Sequence, residues 1–265
     1  MTPGRLFSHY SYWPRQYALG LARLWQFNGA LVALRLTLFN LLQVRRIFRV
    51  RLYDFTIDLR SGTPDLAVAI DSLGSEFEAL EGIADPAGLI IDAGGYIGTA
   101  ALKFATLFPR SRVVTIEPSA ENLALLRRNV GGIPNIIVVE AALAATNGEA
   151  TLRDAGSGEW GFSIAREADE GRDIATVLTA TVEQILGHEH VDRLFLLKLD
   201  VEGAEREIFK ASSGWMTRTE VVIAELHEDF APGASAAYQA ATAGRLNRKL
   251  PGEKVLSLRA APGSA

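Results

Sequence analysis

Acidic side chains stand directly after short apolar segments of this 265-residue sequence, where they could bind a ligand or move a proton. Asp92 follows "GLII", Glu117 follows "RVVTI" and Asp200 follows "FLLKL". Short, continuous apolar segments are typical of strands buried on both faces of a parallel sheet. Ligands of such sheets bind beyond the carboxyl ends of the strands. We therefore expect these carboxylates to stand at the ligand-binding edge of a sheet.

A glycine-rich turn follows the first of these segments. In "IIDAGGYIGTAAL", Gly94, Gly95 and Gly98 fall within five positions, just before a segment with helical spacing. Glycine lets the backbone approach a ligand closely, and a helix N-terminus presents unpaired N–H groups. Asp92 disfavours a pyrophosphate at this turn and would suit a cationic ligand. S-Adenosylmethionine is such a ligand, because it carries a sulfonium and an ammonium group and no phosphate.

Glu117 favours a nucleoside. It ends the second predicted strand, 25 residues after Asp92, where a carboxylate can accept hydrogen bonds from both ribose hydroxyls. The third strand ends at Glu140 and Ala141, where an adenine would lie. The alternative is that the glycines only allow close packing of a helix on a strand.

Strands and helices alternate from residue 88 onward, which predicts an α/β fold with a mostly parallel sheet and helices on both faces. Further strands are predicted at "GEATLRD", "IATVLTAT", "EVVIAEL" and "KVLSLR", and a helix near residues 235–247. The polar segment 154–173 carries Trp160, which could form an apolar wall for an acceptor.

Lys198 and Asp200 are two residues apart, so on a strand their side chains share a face. Asp200 lies at the carboxyl end, where it could take part in catalysis; the alternative is an ion pair with Lys198. Glu202 and Glu205 are predicted in the first turn of the next helix, where acids stabilise the helix dipole.

Glu225 and His227 end the fifth predicted strand and could meet Asp200 across adjacent strand ends. The ordinary pKa of histidine suits a general base near neutrality, and a structural role is the alternative. Asp200 and Glu225 could also hold Mg²⁺, which prefers carboxylate oxygens.

The first 53 residues form a basic segment with eight arginines and no Asp, Glu or Lys. Because the net charge of the whole chain is −4, the remaining residues carry a net charge of −12. Its longest run without a charge has eleven residues, whereas a membrane span needs about 20. We predict two short helices that break near Asn28 and Gly29. They could pack on the domain or on a second subunit, lie on an anionic membrane surface, or be disordered. The arginines of this basic segment are Arg5, Arg15, Arg23, Arg35, Arg45, Arg46, Arg49 and Arg51.

Composition narrows the function further. The absence of cysteine excludes disulfides, thiolate metal sites and a thiol nucleophile, and fits a cytoplasmic protein. The net negative charge does not suggest a nucleic-acid partner.

Several stretches resemble, in order, the FkbM family of S-adenosylmethionine-dependent methyltransferases. They are "IIDAGGYIGTAAL", "VVTIEPSAENLALLRRNV", "NIIVVEAALAATNGEATL", "LLKLDVEGAEREIFKAS" and "VVIAELHE", with "RSGTPD" at residues 60–65. The resemblance covers roughly residues 55–230. It implies a Rossmann-like class I methyltransferase domain over 55–265, with a cofactor half at about 88–145 and an acceptor half at about 146–265. Residues 1–54 would be an N-terminal helical extension.

The resemblance implies O-methylation of a small acceptor, at a hydroxyl of a sugar, glycolipid or secondary metabolite. The cofactor-binding residues would be Asp92, Gly94, Gly95, Tyr96, Gly98, Thr99, Glu117, Pro118, Asn122, Glu140 and Ala141. The catalytic residues would be Lys198, Asp200, Glu225 and His227. One departure is Gly95-Tyr96, where many members have Ala-Asn.

Two other functions remain open at this point. An NAD(P)-dependent oxidoreductase could use a similar sheet, but an acid precedes the glycines and no Tyr-x-x-x-Lys motif is recognisable. A non-catalytic nucleotide-binding or scaffold protein is the other alternative. The protein could also form a homo-oligomer.

Overall fold

A computed structural model describes residues 13–156, 158–165, 171–229 and 231–260, so the first twelve residues of the predicted extension lie outside it. Its helices are α1 (Trp13–Asn28), α2 (Ala30–Leu41), α3 (Asp65–Leu73), α4 (Thr99–Leu107), α5 (Ala120–Val130), α6 (Val182–His188), α7 (Glu205–Lys210) and α8 (Ala234–Ala241). Its strands are β1 (Ile47–Leu52), β2 (Phe55–Arg60), β3 (Leu89–Ala93), β4 (Arg112–Ile116), β5 (Ile136–Val139), β6 (Ala142–Leu143), β7 (Gly148–Asp154), β8 (Phe162–Ser163), β9 (Arg172–Ala180), β10 (Leu194–Leu199), β11 (Thr219–Glu225), β12 (Leu246–Lys249) and β13 (Lys254–Leu258).

A seven-stranded sheet with the order β12-β13-β11-β10-β3-β4-β5 forms the centre of the protein. The five strands from β11 to β5 are parallel, and β13 runs antiparallel between β11 and β12. The chain passes from β3 to β4 on one side and returns to β10 on the other. The strand order therefore reverses between β3 and β10, and a ligand crevice is expected at their carboxyl ends. The protein therefore has the Rossmann-like α/β fold predicted from the sequence, with a mostly parallel central sheet.

Apolar strands are buried on both faces because successive side chains point to opposite sides. Ile90 and Leu196 belong to one core cluster, whereas the next residues, Ile91 and Leu197, belong to another. The first cluster also contains side chains of α4 and α5, and the second contains side chains of α6, α7 and α8. Helices therefore cover both faces of the sheet, as predicted.

The two N-terminal helices break at Gly29, which has a φ of 81°. Leu24 and Leu36 are fully buried in the first core cluster, so both helices pack on the domain. At the break, the Asn28 side chain donates to the carbonyl of Arg51 and accepts from its N–H, both at 2.7 Å. The domain boundary predicted at residue 54 lies in the turn of the β1–β2 hairpin. No helix in the described residues is both long and apolar enough to cross a bilayer.

The predicted strands at "GEATLRD" and "IATVLTAT" are β7 and β9, but they belong to a separate sheet with the order β6-β9-β7-β8. The helix predicted at 235–247 is shorter than expected. It ends at Ala241, and residues 246–249 form the edge strand β12. Gly244 between them adopts a φ of 78°, which interrupts the helix. The Arg245 guanidinium then donates to the carbonyls of Thr219 and Glu220, which holds this segment against the sheet.

Asn28→Ala should detach the helix break from the hairpin, because it removes both hydrogen bonds with the Arg51 backbone. We expect a loss of about 1–2 kcal/mol in unfolding free energy and a fall in Tm of a few degrees. Gln26→Ala is the matched control, since Gln26 only accepts an exposed bond from Arg23. Equal Tm values for Asn28→Ala and the wild type would show that the contact contributes nothing.

Candidate active site

A cavity of about 550 Å³ opens at the switch point of the sheet. Ten of the residues predicted from the sequence line it: Gly94, Gly95, Tyr96, Thr99, Glu117, Pro118, Asn122, Lys198, Asp200 and Glu225. The other five predicted residues lie outside its lining: Asp92, Gly98, Glu140, Ala141 and His227. The cavity therefore joins the predicted cofactor and catalytic groups in one space.

The glycines of the turn are required by contacts within the protein as well as by the cavity. Gly94 has a φ of 81°, and a Cβ there would lie 1.9 Å from the carbonyl oxygen of Asp200. A Cβ on Gly95 would lie 2.3 Å from Oγ1 of Thr115. Gly98 serves helix packing instead, since its Cβ would lie 2.9 Å from a methyl group of Val130 on α5. The alternative that the glycines only allow close packing therefore holds for Gly98. Gly94 and Gly95 are also required by close contacts, but they line the cavity as well.

Lys198 fastens the glycine turn to the neighbouring strand. Its buried Nζ donates to the carbonyls of Ala93 at 3.1 Å and Gly94 at 2.8 Å. Nζ also lies 3.4 Å from Oδ1 of Asp92 and 3.5 Å from Oδ2 of Asp200. Burial alone would lower the pKa of Lys198, but these two carboxylates raise it above its ordinary value. Lys198 is a fixed positive charge that positions the turn, so the structure does not favour a proton-transfer role for it.

Asp92 lies beneath the turn and does not reach the cavity, contrary to the contact with a cationic ligand predicted from the sequence. The residue is fully buried, and its Oδ2 accepts a hydrogen bond of 2.8 Å from Oγ1 of Thr115. Burial raises the pKa of Asp92, while the charge of Lys198 opposes this rise. Asp92 can affect a ligand only through Lys198 and the turn.

Glu117 reaches the cavity from the end of β4, as predicted. One of its oxygens accepts from the N–H of Tyr96 at 2.9 Å. The other accepts from the N–H of Ser119 at 2.9 Å and from the Asn122 amide at 3.3 Å. Burial raises the pKa of Glu117 to about 7, although these donors act to lower it. The carboxyl therefore changes charge near neutral pH.

The end of β5 differs from the prediction. Glu140 is exposed and forms a 2.9 Å ion pair with Arg127 outside the cavity. Ala141 is buried behind the wall, and the next two residues, Ala142 and Leu143, line the cavity in its place. Ala142 and Leu143 are apolar, so this side of the cavity is an apolar wall where an adenine was expected.

Tyr96 anchors the turn to the segment before the sheet. Its hydroxyl donates to Oδ1 of Asp65 at 2.5 Å, and Asp65 accepts two further bonds from the Arg60 guanidinium. Arg60 lies 5.5 Å from the centre of the Tyr96 ring and also donates to Asn122 at 3.0 Å. Residues 60 and 65 are the ends of "RSGTPD", so the resemblance indicated this segment without indicating its contacts. Tyr96, part of the Gly95-Tyr96 pair where many family members have Ala-Asn, therefore has a structural role in this protein.

His227 lies between three carboxylates at the end of β11. Its Nδ1 is 2.9 Å from Oε1 of Glu205, while Nε2 is 3.8 Å from Asp200 and 3.6 Å from Glu202. Burial alone would lower the pKa of His227, but Glu202, Glu205 and Asp200 raise it well above its ordinary value. These carboxylates therefore favour the imidazolium form of the ring, which donates from Nδ1 to Glu205 and faces Asp200 and Glu202 with Nε2. A cation cannot accept a proton, so these surroundings oppose the predicted role of general base.

Glu202 is a site residue that the sequence analysis did not select. It precedes α7 instead of lying in its first turn, and it lines the cavity with a φ of 54°. The buried carboxylate of Glu205 supports this conformation by accepting from the N–H groups of Val201 and Gly203. Burial raises the pKa of Glu202 to about 8, with Asp200 adding to the rise and His227 opposing it. The motif Lys-x-Asp-x-Glu-Gly-x-Glu was the signal that could have identified it.

Asp200 remains ionised beside Glu202. Burial alone would raise its pKa, but Lys198 and His227 bring it below its ordinary value. Two carboxyl groups with opposite pKa shifts thus stand together at the end of β10. Such a pair can hold one ionised oxygen for orientation and another that takes up a proton near neutrality.

The predicted Mg²⁺ site at Asp200 and Glu225 is not supported. Nζ of Lys198 lies 3.5 Å from Asp200, and Nζ of Lys254 lies 3.1 Å from Glu225, so each carboxylate already has a cationic partner. In the described residues these two acids belong to different groups of closely spaced ligand atoms, which share only His227.

The far end of the cavity is built by segments that the sequence patterns did not connect. Asp71 and Glu76 come from α3 and the turn after it, and Glu253 and Lys254 come from the start of β13. Lys254 bridges Glu76 at 3.4 Å and Glu225 at 3.1 Å. Burial and the neighbouring Glu76 raise the pKa of Asp71 to about 6, against the charge of Lys254. The lining described here contains eight carboxyl groups and two ammonium groups.

Trp160 lines the cavity beside Phe162 and Leu152, as predicted for an apolar wall. The adjacent Glu159 forms an ion pair with Arg45 of the N-terminal segment, and Arg45 also pairs with Glu121 at 2.8 Å. Residues 157 and 166–170 of the predicted polar segment lie outside the described residues.

Gly94→Ala should disrupt the cavity, because the new Cβ would collide with the Asp200 backbone at a φ that alanine disfavours. We expect a loss of about 3 kcal/mol or more in unfolding free energy, together with loss of ligand binding at the turn. Thermal unfolding measures the first and calorimetry the second. Gly187→Ala is the control, since a Cβ there meets no atom within 4 Å. A Gly94→Ala protein as stable as this control would contradict the steric argument.

Comparisons with known proteins identify the family of this chain. The Methyltransferase FkbM domain matches residues 92–242, which contain the turn, Glu117, Asp200 and His227. The 2-O-methyltransferase NoeI of Sinorhizobium fredii (strain NBRC 101917 / NGR234) is 22% identical over 189 residues, or 66% of this chain and 75% of NoeI.

Two solved structures are similar to this chain at low identity. The precorrin-6y C5,15-methyltransferase of Geobacter metallireducens has a TM-score of 0.43 and 13% identity, covering 75% of this chain and 90% of that one. An rRNA methylase of Streptococcus thermophilus has a TM-score of 0.38 and 12% identity, covering 72% and 93%. With the domain match spanning more than half of its length, the chain belongs to the FkbM methyltransferase family.

Proposed function

We propose that the protein uses S-adenosylmethionine to methylate a hydroxyl oxygen of a small, sugar-like acceptor that carries no negative charge. The observation that carries this proposal is the cavity itself. Glu117 faces it from β4, and the Asp200–Glu202 pair faces it from β10, across the glycine turn. The name of the relative NoeI, a 2-O-methyltransferase, supports an oxygen acceptor.

The residues present suit a cationic nucleoside. Glu117 offers carboxylate oxygens that two ribose hydroxyls could share, and Ala142 and Leu143 offer an apolar wall for a base. The excess of carboxyl groups attracts a sulfonium and an ammonium group. The same excess would repel the pyrophosphate of NAD(P), so the oxidoreductase is the weaker alternative.

When bound, the cofactor would supply a methyl group on a positively charged sulfur that a hydroxyl oxygen can attack. The chain must then hold the hydroxyl in place and take up its proton. We assign the first task to the ionised Asp200 and the second to the ionised form of Glu202, which a pKa of about 8 makes the minor form at pH 7 and the major form above pH 8. The His227 imidazolium stabilises the ionised form of both carboxylates from 3.8 and 3.6 Å.

The charges of the cavity also restrict the acceptor. Phosphorylated or carboxylated acceptors would meet eight carboxyl groups and only two lysines, both of which already pair with acids. Neutral polyols and aminated sugars meet no such repulsion, and their hydroxyl groups can donate hydrogen bonds to the carboxylate oxygens of the lining.

Calorimetric titration with S-adenosylmethionine, S-adenosylhomocysteine and NAD(H) tests the cofactor. Mass spectrometry of neutral, aminated and phosphorylated sugars after incubation tests the acceptor. We expect binding of both sulfur nucleosides and methylation of uncharged or aminated sugars. Binding of NAD(H) alone would favour the oxidoreductase, and binding of none of them would favour a non-catalytic protein.

Cofactor affinity should rise with pH through the pKa of Glu117. The ionised carboxylate accepts hydroxyl protons better, and its share rises from about one tenth at pH 6 to about nine tenths at pH 8 for a pKa of about 7. We therefore expect Kd to fall by up to about tenfold over this range. Glu117→Gln should bind weakly with a flat profile, whereas Glu202→Gln should keep the slope. A pH dependence that survives in Glu117→Gln would contradict this assignment.

Asp200→Asn and Glu202→Gln should each leave cofactor Kd within a few-fold of wild type and lower kcat by about 10² or more, because proton transfer loses its acceptor or its orientation. Glu207→Gln is the control, since Glu207 is exposed on α7, outside the cavity, and pairs with Arg206 and Lys210. If both site variants lost cofactor binding, these carboxylates would belong to the cofactor and not to the acceptor.

A further inference from the structure

The exposed face of α2 carries an apolar stripe. Leu31, Leu34, Leu38 and Leu41 are spaced by three, four and three residues, so they lie on one side of the helix. Leu31 and Leu34 are 68% and 66% exposed, and Leu41 is 77% exposed. The opposite side of α2 places Ala33 and Leu36 in the core, so the stripe does not arise from poor packing of the helix.

The stripe continues onto α1. Trp25 is 65% exposed and lines a shallow groove together with Leu31 and Leu34. Within the described residues, eight of the ten large apolar side chains that are exposed fall between residues 19 and 47. Single exposed leucines are common on protein surfaces, but a concentration of this kind marks an interaction surface.

Positive charge lies on the same segment of the chain as this surface. Arg35 follows Leu34 on α2, and Arg46 and Arg49 are exposed around the start of β1, which packs on α2 through Phe39 and Phe48. These three arginines form no ion pair in the part of the chain that the structure describes. Residues 1–53 contain no acid, while the remainder of the chain carries −12. The chain is therefore unevenly charged, and its positively charged segment also carries most of the exposed large apolar side chains described above.

We propose that the outer face of α1, α2 and β1 docks on an anionic lipid bilayer surface. Leucine and tryptophan side chains would enter the interface between head groups and acyl chains, and the arginines would contact anionic head groups. The acidic remainder of the chain would be repelled by the same membrane, which fixes the orientation. A second copy of the chain is a poorer occupant, because two such faces would bring unpaired arginines against one another.

Flotation of the full-length protein with vesicles tests the proposal. One set is pure phosphatidylcholine, and the other contains three parts of it to one part of phosphatidylglycerol. We expect binding to the second set, little binding to the first, and a decline as salt rises. The readout does not depend on methyl transfer, so its failure is distinguishable from failure of the proposed function.

Two double variants separate the apolar and the charged parts of the surface. Leu31→Ser with Leu34→Ser removes apolar area, and Arg35→Gln with Arg49→Gln removes two charges. We expect each pair to weaken partitioning into anionic vesicles by roughly tenfold or more. The matched controls are Leu178→Ser on β9 and Arg248→Gln on β12, which are exposed far from this segment in the chain. They should bind like the wild type.

Several outcomes would overturn the proposal. Absence of binding to anionic vesicles would do so directly. Equal losses in the control variants would show that the surface is not specific. A dimer in sedimentation velocity that Leu31→Ser with Leu34→Ser converts to a monomer, without vesicle binding by either, would assign the surface to a second copy.

Discussion

The buried ammonium of Lys198 is the constraint on which the site depends. It joins the carbonyls of the glycine turn to two carboxylates on neighbouring strands, so β3 and β10 are fixed relative to one another at the switch point. Loss of this cation would leave the Asp92 carboxylate buried without a counter-charge, a change that costs about 3–5 kcal/mol in comparable cases. Glycine at position 94 follows from the same constraint, because the turn lies against the Asp200 backbone with no room for a Cβ.

A second buried network makes the segment before the sheet part of the site. Arg60, Asp65 and Tyr96 connect β2 and α3 to the glycine turn, and Asn122 extends the network to Glu117. Each member hydrogen-bonds at least one other, and such networks hold one arrangement more firmly than isolated pairs do. Because α3 is fixed in this way, Asp71 and Glu76 can line the far end of the cavity.

Local patterns were sufficient for the parallel strands of the central sheet, the glycine turn and the position of Glu117, but not for β12, where a helix was predicted. Apolar segments that end in an acid define strand ends, and strand ends define the ligand edge. Asp92 shows the limit of this reasoning, since its position at the strand end was predicted but the direction of its side chain depends on how the turn folds over it. His227 shows a second limit, because its charge depends on Glu205, whose burial no local pattern reveals. Lys254 and Asp71 meet only through packing of segments far apart in the chain.

The bridge made by Lys254 has a consequence for synthesis of the chain. Asp71, Glu76 and Glu225 are all translated before the ammonium that stands between them. Until β13 docks antiparallel to β11, these carboxylates have no shared counter-ion and repel one another. The far end of the cavity can therefore be completed only after β13 has been made. A ribosome-bound chain lacking β13 would present an open, strongly acidic cleft, whose form should respond to salt far more than that of the finished protein.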